Sequence, residues 1–321
     1  MKTIITSSKP PPVRRVLCSF LFGAATFCLV PTNIQAAGDI VWVTLPATST
    51  TNSIAKYKAN GTAINTNFIT EETTIGAPGG ILVSGHDLYV PTDWWACCPN
   101  KAFLYALLKG EAYYLFFTYD AGAGNVIDSV WYKLIKLPFV PGGMALSGTN
   151  LYVANQEGSI AKGGDLYFIN SNVTSPYALA VNGLLNVLYV TNNAQNSNGD
   201  FYISTYTADT GALINANFIQ IQTGGLYGLA LRGNVLYVSV FSGSAPGVYT
   251  YKADTGELIK GPFVSVNEPW GIAIGGKTLY VAGYQNSVIY EYNATTGAQL
   301  SDSIKLSGAP TNITVEPADE Q

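Results

Sequence analysis

Along most of the chain, apolar positions return in one rhythm. A four-residue apolar stretch leads to a Gly-containing turn, an apolar-Tyr-Val triplet and a polar loop. An alternating strand then runs into a turn opened by Asn or Asp and closed by Gly. Glu268–Gly297 holds one full copy. Its pattern predicts strands at Gly271–Ile274, Thr278–Ala282 and Val288–Tyr292, separated by a Gly275-Gly276 turn and a polar loop at Gly283–Ser287. Short apolar runs and period-two alternation, bounded by Gly and Asn, are strand signals.

The triplet is the most specific marker. It occurs as Leu88-Tyr89-Val90, Leu151-Tyr152-Val153, Leu188-Tyr189-Val190, Leu236-Tyr237-Val238 and Leu279-Tyr280-Val281, with Val41-Trp42-Val43 as an imperfect sixth copy. The five full copies are preceded by apolar strands at Gly80–Val83, Gly143–Leu146, Ala178–Val181, Gly228–Leu231 and Gly271–Ile274. The N-terminal copy lacks this partner, and Ala309–Val315 has its form with nothing after it, so the two ends read as fragments of one repeat. Downstream hairpins turn at Ala208-Asp209-Thr210-Gly211 and Ala253-Asp254-Thr255-Gly256, where Asp bonds its own backbone and Gly takes positive φ. One hairpin is cut short at Gly163-Gly164. Internal repetition of this kind fixes an architecture: four strands per repeat, six repeats and split termini predict an all-β, six-bladed β-propeller whose last strand completes the first blade.

Units such as Pro269-Trp270-Gly271-Ile272-Ala273 followed by Leu279-Tyr280-Val281-Ala282 resemble the NHL-type and YVTN-type propeller repeats of exported bacterial proteins. In the blade order that this resemblance implies, the loop before the first strand and the loop between second and third strands share the binding face. The candidate ligand-binding residues there are Asp93, Trp94, Asn155, Asn192, Tyr227, Trp270 and Tyr284, with Tyr177, Asn193 and Phe241 in the same loops. Aromatic rings with amides suit a carbohydrate, peptide or protein partner through stacking and hydrogen bonds. The alternative is that the rings plug the channel mouth and the Asn residues cap turns. Residues 93–111, an insertion within one blade, carry Trp94, Trp95, Cys97, Cys98 and the apolar run Phe103–Leu108; such an insertion either forms a partner surface or covers its own blade edge.

An enzymatic reading meets a harder test. The single histidine, His86, falls in a tight turn on the opposite face, so a Ser-His-Asp or Cys-His mechanism has no base. The similar gluconolactonase-type propellers hold a divalent metal at the channel mouth, and the resemblance puts Asp93, Asn155 and Asn192 in that place, a weak Ca2+ set at most. The leading expectation is a non-catalytic binding protein with no cofactor. The alternative is a divalent-metal-dependent lactonase or related hydrolase.

Composition adds an address. Lys2, Lys9, Arg14 and Arg15 precede the apolar run Val16–Val30 and the small-residue end Ile34-Gln35-Ala36, the order of a signal peptide over residues 1–36. That run is short against the roughly 20 residues of a membrane span. Residues 37–321 are then one propeller domain, exported to the periplasm or the extracellular space. A net charge of −4 without a basic cluster argues against nucleic acid. Outside the leader only Cys97 and Cys98 remain; adjacent cysteines cannot staple a long loop, though they could form a strained vicinal disulfide, pair with another chain or stay reduced.

Overall fold

Each triplet falls in the second strand of a four-stranded antiparallel sheet, and apart from the half-buried Tyr89 and Leu151 its residues are buried on both sides. Leu188, Tyr189 and Val190 are all enclosed, as are Leu236, Tyr237 and Val238. A strand apolar on both faces must be covered on both faces, and a neighbouring blade on each side does this. The computed structural model describes residues 39–45, 51–72, 80–92, 112–124, 126–134, 140–222, 224–300 and 303–316. The chain divides into the units Met1–Gln35 and Ala36–Gln321, and all described residues lie in the second.

These residues form six four-stranded sheets and no helix. Blade 1 comprises β1 (Ile40–Leu45), β2 (Thr51–Lys58) and β3 (Ala63–Glu72), with β24 (Ile313–Glu316) as its inner strand. Blade 2 comprises β4 (Leu82–Ser84), β5 (Asp87–Thr92), β6 (Ala112–Asp120) and β7 (Val126–Leu134). Blade 3 holds β8 (Pro141–Ser147), β9 (Asn150–Asn155), β10 (Ser159–Lys162) and β11 (Asp165–Ile169). Blade 4 holds β12 (Pro176–Asn182), β13 (Val187–Asn192), β14 (Phe201–Thr207) and β15 (Leu213–Ile221). Blade 5 is β16 (Leu226–Arg232), β17 (Val235–Val240), β18 (Gly247–Lys252) and β19 (Leu258–Ser265). Blade 6 is β20 (Pro269–Gly275), β21 (Thr278–Gly283), β22 (Val288–Asn293) and β23 (Ile304–Lys305). This is the six-bladed propeller that the repeats predict. Apolar clusters fill the gaps between neighbouring blades; one joins Ile203 and Ile219 of blade 4 to Leu236 and Val238 of blade 5, and another joins Tyr280 of blade 6 to Val43 of blade 1.

The ring closes where the two ends of the repeat pattern meet. In β1 and β24, Ile40 pairs with Glu316 and Val43 with Ile313. Beyond the ladder, Asn312 N–H donates to Thr44 Oγ1 at 2.9 Å, and Thr44 N–H donates to Asn312 O at 2.9 Å.

One contact repeats around the face that carries the turns between first and second strands. The triplet tyrosine of one blade donates its hydroxyl to the alanine that opens the last hairpin turn of the next. Tyr152 reaches Ala208 O at 2.9 Å, Tyr189 reaches Ala253 O at 2.7 Å, and Tyr237 reaches Ala294 O. In the imperfect copy Trp42 takes the tyrosine's place. Lys56 Nζ lies 4.4 Å from that ring's centre and donates to Ala121 O at 2.9 Å instead. The glycine that closes the same turn presses on the preceding blade. At Gly256, with φ of +74°, a Cβ would lie 2.5 Å from Phe218 O. Both the backbone conformation and the space therefore demand glycine. In blade 3 the shortened hairpin is a two-residue turn, Gly163 and Gly164, with φ of +53° and +97°, and Lys162 pairs with Asp165 across it. His86 is exposed in the β4–β5 turn on this face, as its position in the repeat predicts.

Outermost strands carry a local defence against edge pairing. Asn65 Oδ1 accepts the Asn67 N–H and Asn215 Oδ1 accepts the Asn217 N–H, both at 3.0 Å, and the ladders of β3 and β15 shift register around these residues. Interrupted edges of this kind blunt strand addition.

Candidate functional site

Inner strands run from the opposite, loop-bearing face towards the turns, so their first residues ring the channel mouth. Neighbouring inner strands approach closely there. A Cβ on Gly143 would lie 2.9 Å from Tyr177 O, one on Gly228 2.6 Å from Trp270 O, and one on Gly271 2.6 Å from Thr311 O. These contacts explain why hub positions are mostly Gly or Ala. They also align Gly142, Tyr177, Tyr227, Trp270 and Thr311 as equivalent positions on blades 3, 4, 5, 6 and 1. Below the mouth lies a cavity of about 50 Å³, bounded by Met144, Leu179, Leu229, Ile272, Asn312 and Ile313 among others. It has room for a few waters.

Three of those equivalent positions are aromatic and adjacent, and the loops above them add two more rings. Trp270 lies between Tyr227 and Tyr284, with centroids at 4.5 and 4.8 Å and planes tilted by only 31° and 38°. Phe241 meets the Trp270 ring edge-on at 5.3 Å, and Tyr177 does so at 6.0 Å. Tyr177 also packs edge-on against Tyr227 at 5.0 Å. Offset and edge-to-face contacts of this kind each add about 0.5–1.5 kcal/mol beyond burial. Trp270 Nε1 donates to the Tyr177 hydroxyl at 2.7 Å. Burial pushes the Tyr177 hydroxyl up to about 12, against the opposing pull of its bonds with Trp270 and Asn312. Tyr177 is buried, whereas Tyr227, Phe241, Trp270 and Tyr284 are half-buried.

This geometry divides the roles. Both faces of Trp270 are covered by rings, so it acts as the keystone of the cluster. A Cβ on Gly225 would lie 2.6 Å from the Tyr227 ring, which encloses that ring's surroundings as well. Tyr284 and Phe241 stand at the loop end of the cluster and are half-buried.

The two amides that sequence reading placed at the site belong to the scaffold. Asn155 is buried; its Oδ1 accepts from Val140 N–H at 2.9 Å, and its Nδ2 donates to Ser159 Oγ at 3.0 Å. Asn192 repeats this one blade on, with Thr174 N–H at 2.8 Å and Ser204 Oγ at 2.8 Å. Each ties the connection from the preceding blade to the second and third strands of its own. Next to Asn192, Asn193 Oδ1 accepts the Leu226 N–H at 2.6 Å, and its Nδ2 is buried without a partner beside the aromatic cluster. Asp93, Trp94, Cys97 and Cys98 lie outside the described residues. The structure thus joins Tyr227, Trp270 and Tyr284 with Tyr177 and Phe241, and assigns Asn155 and Asn192 elsewhere. Among the described residues no three His, Cys, Asp or Glu side chains gather as a metal-holding group.

No protein-family model matches the chain. No curated protein matches it either. Solved structures do match in fold. A chain from the crystal structure of a nidogen/laminin complex superposes with a TM-score of 0.62 at 12% identity, covering 87% of this chain and 98% of that one. A putative 6-phosphogluconolactonase from Bacteroides fragilis superposes with a TM-score of 0.55 at 16% identity, covering 88% and 99%. The class is therefore a six-bladed β-propeller, with neighbours from a protein complex and from a lactonase-type protein. Among the described residues no helix is long and apolar enough to cross a membrane.

Proposed function

We propose that the chain is an exported, non-catalytic propeller of the NHL/YVTN type that binds a carbohydrate, peptide or protein partner on its loop face. The observation that carries this reading is the five-ring cluster at the mouth of blades 4–6, half-exposed where the equivalent positions of blades 3 and 1 are Gly142 and Thr311. Repetition of the fold does not require rings at these positions, since Gly142 and Thr311 fill the equivalent places on blades 3 and 1. The nidogen/laminin neighbour is compatible with partner binding by this architecture, at the level of fold.

Tyr284→Ala tests the reading. It removes a ring from the loop end of the cluster and leaves the keystone in place, so screened glycan or peptide binding should fall by about three- to tenfold. The melting temperature should stay within a few degrees. Equal loss of fold and binding would contradict the assignment.

The lactonase-type neighbour supports a second reading, a divalent-metal-dependent hydrolase centred on Asp93, Asn155 and Asn192. The donor set fits poorly, because the Oδ1 atoms of Asn155 and Asn192 already accept backbone N–H groups. Asn155 Oδ1 accepts a second N–H from Glu157 at 3.3 Å, so a Ca2+ ligated there would have to displace one of the two bonds. The test is thermal shift with calcium, with and without excess chelator: stabilisation that follows metal concentration would promote the hydrolase.

A further inference from the structure

The two faces of the propeller differ in charge. Described loop-face connections are residues 156–158, 170–175, 193–200, 222, 224–225, 241–246, 266–268, 284–287 and 306–312. They contain the carboxylates Glu157, Asp200 and Glu268 and no lysine or arginine. Lys305, on the outermost strand of blade 6, is the cation nearest to that face among the described residues of blades 3–6. The turn face, by contrast, carries both signs: Lys162 donates to the carbonyls of Ala208 and Asp209, Arg232 donates to Gly276 O, Lys252 pairs with Glu257 at 2.6 Å, and Asp87, Asp120, Asp165, Asp209 and Asp254 stand at or in its turns, as does Lys277.

Glu268 immediately precedes Pro269-Trp270 and has a positive φ of 49°, and its carbonyl accepts the N–H of Tyr284 at 3.1 Å. A carboxylate-bearing residue is thereby fixed by its backbone to Tyr284, a half-buried ring of the cluster. Aromatic faces carry negative electrostatic potential and attract ammonium and guanidinium groups. A carboxylate beside them deepens that potential, and the described loop-face connections of blades 3–6 place no lysine or arginine among them.

Resting on the binding reading above, we propose that the occupant of the aromatic mouth is a lysine- or arginine-bearing segment of a partner protein. A cationic side chain lies against Tyr284 and Phe241 with Glu268 beside it. An acidic segment would meet like charge at Glu268, and a neutral glycan could hydrogen-bond to that carboxylate but would not gain the charge attraction.

The experiment is calorimetric titration of the purified protein with four probes: a hexalysine amide, tetramethylammonium chloride, a neutral hexasaccharide and a hexaglutamate peptide. Hexalysine should bind, weaken about three- to tenfold between 0.05 and 0.5 M salt, and weaken about three- to tenfold in Glu268→Gln and in Tyr284→Ala. Tetramethylammonium should compete with it. Hexasaccharide binding that is lost in Tyr284→Ala, with no hexalysine binding, would overturn the cationic assignment and leave the binding face standing. Hexalysine binding unchanged by Tyr284→Ala and Glu268→Gln would overturn it too, by locating the interaction elsewhere. Silence from all four probes would count against both proposals.

Discussion

The turn face and the loop face are built from the same repeats and have opposite characters. On the turn face the chemistry is reiterated: tyrosine to alanine carbonyl, glycine against the preceding blade, in one blade gap after another. On the loop face the scaffold contacts also repeat, as Asn155 and Asn192 show, but the mouth above them is uneven. Blades 4–6 present Tyr177, Tyr227 and Trp270 where blades 3 and 1 present Gly142 and Thr311. Repetition reports what the ring needs to close and stay closed. Departure from it marks where something other than closure shaped the sequence.

Breaking the ring should have the largest effect. Truncation before Ala309 removes β24, its ladder with β1 and the Thr44–Asn312 bonds, and so exposes the apolar surface between blades 6 and 1. The expected outcome is loss of the single cooperative transition in thermal unfolding followed by circular dichroism. Retention of a wild-type melting curve would contradict the closure described here.

Next comes the turn-face lattice. Gly256→Ala must place a Cβ 2.5 Å from Phe218 O at a φ of +74°, and should cost about 2–4 kcal/mol in urea unfolding. Tyr189→Phe deletes one hydroxyl and leaves the Ala253 carbonyl unpaired inside the blade gap, for a cost of about 1–2 kcal/mol. Tyr237→Phe should match it within about 0.5 kcal/mol, whereas Tyr152→Phe should cost less, because Lys162 Nζ still donates to Ala208 O. A Tyr152→Phe cost equal to or above the other two would contradict that account.

Alkaline pH gives a smaller effect that is summed over many sites. Burial raises the hydroxyls of Tyr177 and Tyr251 to about 12, from 10.0 in the unfolded chain, and Tyr189, Tyr227 and Tyr237 shift in the same direction. A raised folded-state value means that the neutral hydroxyl is favoured by folding. The corresponding stability is fully present below pH 10 and is lost as pH climbs from 10 through 12. Melting temperatures at pH 8, 9, 10 and 11 should hold level to pH 9 and fall beyond 10.

Much of the architecture could be read in the sequence because it is written several times. The triplets, the preceding strands and the complementary ends are local patterns, and each copy checks the others. The purpose of the triplet tyrosine was not legible. Its partner is an alanine carbonyl in the next repeat, and a backbone carbonyl leaves no mark on residue identity. At the site, Tyr227, Trp270 and Tyr284 stood out as departures from the repeat, and the structure gathers them. Asn155 and Asn192 misled, since a buried scaffold amide and an exposed ligand-binding amide look alike in one dimension. Each is spent on the connection to the preceding blade, as its bonds to Val140 and Thr174 show. The keystone role of Trp270 depends on ring planes, which no spacing encodes.

The most direct measurement compares one substitution from each face in the same two assays. Tyr189→Phe and Tyr284→Ala would each be assayed for melting temperature and for binding of the hexalysine amide. The prediction is a crossed result: Tyr189→Phe lowers the melting temperature by about 2–8 °C with unchanged affinity, and Tyr284→Ala weakens binding about three- to tenfold with a melting temperature near wild type. Both substitutions losing stability and binding together would contradict a division of labour between the faces.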